Sequence, residues 1–180
     1  LEILAGAPAL PNKETLAILG RLPAPSDAPP AEQFLRTDIL VRLNPADRPQ
    51  LLASAIERYR RGTPEQQAEL IQWLNRMGEH VRALDTWKPE DLEKSAAPIA
   101  AYLDSMTRAR RWAEIQKVAA RPLPLDAWIL EAYRAHAAAQ LNQPESAEEH
   151  WRRAHEQTTG NPLRTRSLGD LALRLGAHSQ

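Results

Sequence analysis

The stretch Met77-Gly78-Glu79-His80-Val81-Arg82-Ala83-Leu84 decides how this chain is read. It reads as a turn running into the start of a helix. Matching turns follow at Arg110-Arg111-Trp112 and at Leu141-Asn142-Gln143. The helices after these turns share a spacing. Ala83 and Trp87 are four apart, as are Ile115 and Ala119, and Ala147 and Trp151. Each pair lies 32 residues from the next. A fixed period of this kind is the sequence signature of a repeat architecture. A small and a large side chain one turn apart let a neighbouring helix approach closely, and stacking such helix pairs buries a continuous core.

Outward from this stretch, helix boundaries are marked by proline and capping residues. Thr63-Pro64-Glu65-Gln66 reads as a capping box with proline at the first helical position. Asn44-Pro45, Asn142-Gln143-Pro144 and Asn161-Pro162 use similar chemistry. Proline inside a helix costs a hydrogen bond, so these positions mark starts. The pattern predicts helices over 31–43, 48–61, 64–77, 79–87, 89–95, 98–109, 112–120, 124–141, 145–157 and 162–175. A short helix over 13–22 is predicted between the prolines of the first 30 residues, followed by a linker or crossing loop over 22–30. No segment alternates long enough to predict a strand. On one helix, Ala147, Trp151 and Ala154 share a face, with Glu148–Arg152 and Glu149–Arg153 pairs opposite.

The stretch 77–84, its echo Arg111-Trp112-Ala113-Glu114-Ile115 and the Ala147, Trp151, Ala154 set resemble tetratricopeptide repeats, over about residues 64 to 176. His80 stands where the family favours an aromatic, and Arg110 where it favours glycine. The period of 32 falls short of the family's usual 34, and residues 88–97 add an irregular passage. Other α-α solenoids therefore stay open. The resemblance implies an all-α fold, a right-handed α-α superhelix (solenoid) of stacked antiparallel helix pairs. The domains expected are a Pro-rich N-terminal segment with one short helix (1–30), an atypical helix pair (31–62), and tetratricopeptide-like repeats (63–180), the last truncated.

The same resemblance implies a concave surface lined by the first helix of each pair. The 32-residue step places Gln72, Asn75 and Arg76 there, then Asp104, Thr107 and Arg108, then His136, Ala139 and Gln140; Arg166, Asp170 and Arg174 extend the series. The peptide-binding candidates are Gln72, Asn75, Arg76, Asp104, Thr107, Arg108, His136 and Gln140. Arginine suits such a surface because its planar fork can hold a carboxylate bidentately. The expected function is a non-catalytic protein-interaction scaffold that binds a protein or peptide segment. The alternative is a structural spacer or self-associating section of a longer repeat protein, and an α-α-repeat hydrolase ranks third.

Composition sets the remaining bounds. Hydrophobic residues make up 43% and charged residues 26%, which argues against general disorder. Alanine, leucine, glutamate, glutamine and arginine dominate and favour helix. The formal net charge is +0, so no nucleic-acid partner is expected. The bias of 19 Arg over 4 Lys reads as genome composition, bacterial in character. With no cysteine, disulfides and thiolate metal sites are excluded. No apolar run reaches the roughly 20 residues a membrane-spanning helix needs, so no membrane insertion of this fragment is expected. The chain starts at Leu1, which reads as an excised or processed piece. The compartment stays open between bacterial cytoplasm and periplasm.

No nucleotide loop, nucleophile elbow or zinc-protease motif occurs. His150 and His155, five apart, diverge around a helix and make poor co-ligands. Carboxylate pairs such as Glu148/Glu149 read as solvated faces or helix-start charges rather than an acid–base pair. No cofactor, metal or catalytic residue is expected. The five tryptophans read as core, Trp128 being the one whose stacking role is hardest to separate from packing. The clusters Arg58-Arg60-Arg61 and Arg108-Arg110-Arg111 read first as helix C-terminal charges that complement the dipole.

Overall fold

The computed structural model describes residues 28–176. The helix expected over 13–22 lies outside them. The fold is all-α: among the described residues there are ten α-helices, one 3-10 turn and no strand. The helices are α1 (Pro30–Leu43), α2 (Arg48–Tyr59), α3 (Pro64–Arg76), α4 (His80–Thr86), α5 (Pro89–Leu92), α6 (Ala96–Arg108), α7 (Trp112–Ala119), α8 (Ala127–Gln140), α9 (Pro144–Thr158) and α10 (Pro162–Leu175). The 3-10 turn is Pro45–Asp47, between α1 and α2.

The capping chemistry sets these boundaries. Thr63 N–H donates to Gln66 Oε1 at 3.0 Å, and Gln66 N–H donates to Thr63 Oγ1 at 3.3 Å. Two otherwise unpaired donors at the start of α3 are thereby satisfied. Asn161 Oδ1 accepts from Arg164 N–H at 3.1 Å at the start of α10. Most expected starts shift by two residues or fewer, and one shifts by three. α8 begins at Ala127 rather than 124, because Asp126 is extended (ψ 137°) and Pro124 lies in the loop before it.

Three turns share one hydrogen-bond pattern. After α3, Glu79 N–H donates to Leu74 O at 2.8 Å and Gly78 N–H to Asn75 O at 3.2 Å. After α6, Arg111 N–H donates to Met106 O at 2.9 Å and Arg110 N–H to Thr107 O at 3.1 Å. After α8, Gln143 N–H donates to Ala138 O at 3.0 Å and Asn142 N–H to Ala139 O at 3.1 Å. This is the Schellman closure, which satisfies helix-end carbonyls by a left-handed residue. The left-handed residues are Gly78 (φ 77°), Arg110 (φ 57°) and Asn142 (φ 57°), at steps of 32. The backbone therefore repeats where the side chains change. Arg110 carries a Cβ in a region that costs an L-residue about 1 kcal/mol. Arg110→Gly is expected to raise stability by about 0.5–1 kcal/mol, read as a higher urea midpoint with an unchanged m-value.

The described chain divides into two compact units, with the boundary inside α3 between Trp73 and Leu74. In the first unit, α1 packs against α2. Its core is aromatic. Phe34 stacks on Trp73 at 4.9 Å between centroids and meets Tyr59 edge-on at 5.2 Å. Trp73 is fully buried and its indole N–H donates to Asp38 Oδ1 at 2.6 Å.

In the second unit, α4 and α7 both pack on α6, α7 and α9 both pack on α8, and α10 packs on α8 and α9. Ile99, Leu103 and Met106 of α6, Ile115 of α7 and Ala132, Ala135 and Ala138 of α8 are buried. Ala83, Ala147 and Ala154 are fully buried, so the small positions let helices close on one another. Trp87 and Trp128 are also buried, whereas Trp112 and Trp151 are half-buried. Residues 88–97 hold the one-turn helix α5, started by Lys88 N–H donating to Asp91 Oδ2 at 2.9 Å.

Candidate functional site

The face of the second unit formed by α6, α8 and α10 carries a groove of about 340 Å³. Trp128, Ile129 and Leu171 give it an apolar floor, and Ser167, Asp170 and Arg174 give it a polar edge. Helical spacing explains the grouping. Ile129 and Tyr133 are one turn apart on α8, as are Ser167 with Leu171 and Asp170 with Arg174 on α10.

A buried phenol anchors the groove. Tyr133 is 1% exposed, and its hydroxyl donates to Asp104 Oδ1. Burial, and then the negative charge of Asp104, push the Tyr133 phenol well above its ordinary value. Arg174 Nη1 lies 3.6 Å from the other Asp104 oxygen. Asp104 is thus held from both sides. Trp128 Nε1–H donates to Asp126 Oδ2 at 3.0 Å, and Asp126 in turn faces Arg164 at 3.3 Å.

The candidate residues separate into three groups. Asn75 is buried: its Nδ2 donates to Ala101 O at 3.2 Å. The Ser105 hydroxyl lies 2.9 Å from Asn75 Oδ1 and 3.1 Å from Ala101 O, so its proton serves those acceptors. The Asn75 amide joins α3 to α6 and is not offered to solvent. His136 is also buried, its ring edge-on to Trp112 at 5.2 Å. Thr107 Oγ1 donates to Leu103 O of its own helix at 3.0 Å. Asp104 is half-buried and engaged as described. Gln72, Arg76, Arg108 and Gln140 are exposed. Gln72 belongs to the first unit; the others belong to the second.

Arg76 and Arg108 are the last residues of α3 and α6, each one place before an equivalent turn. Among the described residues neither has a hydrogen-bond or ion-pair partner. Arg61, Arg110 and Arg166 are also exposed and without a partner among the described residues, whereas other surface charges are engaged. Glu149 binds both Arg152 and Arg153, Glu90 binds Arg121, and Glu131 binds Arg134 at 3.0 Å and His150 Nδ1 at 2.6 Å. Asp104, one turn before Arg108, is occupied by Tyr133 and Arg174.

The sequence reading does not single out Tyr133, Ser167 or Leu171. The signal that could find them is the i, i+4 step from Ile129 and from Leu171 back to Ser167, but it needs α10 packed on α8 to have meaning. The first unit has its own cleft of about 370 Å³ beside Phe34, Leu40 and Leu51. The Arg58 guanidinium on its wall donates to Gln33 Oε1 at 2.6 Å.

His136 supplies a pH dependence. Burial lowers its pKa below the ordinary 6.5. The unfolded chain then binds a proton that the folded chain resists, so stability is lost as pH falls below about 6.5. Thermal unfolding at pH 7.5 and 5.5 is expected to show a smaller loss for His136→Phe, which keeps an aromatic edge on Trp112, than for the parent chain. An equal loss would show that the other histidines carry the effect.

Among the described residues, no group of histidine and carboxylate side chains could hold a metal ion, and no helix is long and apolar enough to cross a membrane. Comparison of the chain with protein-family models, with curated proteins and with solved structures gives no match.

Proposed function

We propose that this chain is a non-catalytic interaction scaffold that grips a protein or peptide segment. The gripping surface is the face of the second unit formed by the first helices of its pairs. In this reading the pairs stack as turns of a right-handed α-α solenoid of tetratricopeptide type. The observation that carries the proposal is the pair Arg76 and Arg108: equivalent in position, exposed, and unpaired among the described residues. A structural spacer would have its charges satisfied internally, as Glu149, Arg152 and Arg153 are. Two unpaired guanidiniums at a 32-residue step suit a segment that brings its own carboxylates.

The test is an array of immobilised random peptides probed with the parent chain and with the Arg76→Glu, Arg108→Glu double variant. Circular dichroism would first establish that the variant is folded. Selection of acidic peptides by the parent and loss of that selection in the variant is the expected result. The same peptides on both proteins, or none on either, would sink the proposal.

Self-association is the second reading. Leu163 and Leu173 of α10 are 79% and 61% exposed, large apolar surface for one helix. Light scattering of the parent and of Leu163→Gln, Leu173→Gln decides it: a dimer that the substitutions dissociate supports self-association, and a monomeric parent rejects it.

A further inference from the structure

Leu163 and Leu173 do not stand alone on the exposed side of α10. Leu163, Arg166, Asp170 and Leu173 follow at steps of three, four and three residues, the seam spacing of a helix that packs along another helix. All four are exposed. Helical spacing puts the buried residues Leu168, Leu171 and Leu175 on the other side, and α8 and α9 are the helices on which α10 packs. Two further arginines of α10 are engaged within the unit, Arg164 by Asp126 and Arg174 by Asp104. Arg166 and Asp170 have no hydrogen-bond or ion-pair partner among the described residues, not even each other one turn apart. The seam is symmetric about its midpoint. Leu163 and Leu173 are each five residues from Leu168, and Arg166 and Asp170 are each two residues from it.

We infer that this face is covered by a second copy of the chain, the two α10 helices lying antiparallel about a two-fold axis at Leu168. In that register Leu163 lies opposite the partner's Leu173, and Arg166 lies opposite the partner's Asp170. The interface is isologous, so each contact occurs twice. The leucines cover one another at both ends. In the middle each guanidinium meets a carboxylate, a pairing that its planar fork suits. The seam is thus its own charge complement, and that selects a second copy over an unrelated apolar helix. A parallel pair would set arginine against arginine and aspartate against aspartate. α10 has 14 residues and is about 20 Å long. One pair of helices this short falls below the roughly 1,200–2,000 Å² of a stable complex, so the association is weak and concentration-dependent. This rests on the second reading above, self-association through α10, and supplies its orientation and register.

The test is sedimentation velocity of the full chain over a range of concentrations, with circular dichroism to establish that each variant is folded. Four proteins are compared: the parent, Arg166→Glu, Asp170→Arg, and the double exchange Arg166→Glu, Asp170→Arg. Both sites are exposed, so the fold tolerates the changes. Each single reversal replaces two exposed ion pairs with two repulsions at once and is expected to weaken dimerisation about tenfold. The double exchange restores opposite charges across the axis and is expected to dimerise like the parent. A mixture of the two single variants is expected to associate more tightly than either alone. A dimer indifferent to the single reversals, or one that the double exchange leaves as weak as they do, would overturn the antiparallel register while leaving self-association standing. A parent that stays monomeric at every concentration would sink both.

Discussion

Trp73→Ala is expected to lower the stability of the first unit by about 3–5 kcal/mol, the range for removing a large buried aromatic. The reason lies in what the indole does. It is fully buried, it stacks on Phe34 at 4.9 Å, and its N–H meets Asp38 at 2.6 Å. Truncation opens a cavity, removes the stacked partner of Phe34 and strips Asp38 of its donor. Native-state hydrogen exchange reads the effect unit by unit, because it reports the opening free energy of each set of amides. Faster exchange concentrated in α1 and α2 is the predicted pattern. Trp73→Phe separates the two contributions. It keeps a ring against Phe34 but loses the hydrogen bond and part of the buried indole, so a loss of about 1–3 kcal/mol, smaller than for Trp73→Ala, is expected. A loss below about 1 kcal/mol for Trp73→Ala would mean that the aromatic cluster does not hold the unit together.

Ile115→Ala is expected to cost about 2–5 kcal/mol in the second unit. Ile115 is fully buried at the place on α7 that Ala83 occupies on α4 and Ala147 on α9. The pairs alternate in size. Ala83 is followed by Trp87 and Ala147 by Trp151, but Ile115 is followed by Ala119. The bulk sits a turn earlier in the middle pair, and alanine at both places leaves a void between α7 and its neighbours α6 and α8. Urea unfolding checks this, with the slope unchanged and the midpoint lowered. The reverse change, Ala83→Ile, adds volume where none is free and is expected to cost about 1–3 kcal/mol by overpacking. If Ile115→Ala is nearly neutral, the 32-residue correspondence of these positions has no packing meaning.

The sequence by itself determined the helices and where they break. Proline, the Thr63–Gln66 box and the Asn161 cap act over three or four residues, so the boundaries they mark are set locally. The 32-residue step is likewise legible, and it reappears in the backbone at Gly78, Arg110 and Asn142. Residues 121–126 show the limit of reading proline as a start: Asp126 is extended (ψ 137°), so α8 starts after it and Pro124 stays in the loop.

Tertiary structure alone decided which polar side chains are spent. Spacing puts Asn75 beside Arg76 and Thr107 beside Arg108, but it cannot say that Asn75 meets Ala101 and Ser105 on another helix. It cannot say that Tyr133, 29 residues on, takes up Asp104, or that Arg174 comes to the same carboxylate from α10. A polar side chain becomes part of the core or part of a surface through the partner it finds, and that partner is distant in sequence. Arg108 becomes a candidate binding group only after Asp104, one turn before it, is seen to be engaged by Tyr133 and Arg174.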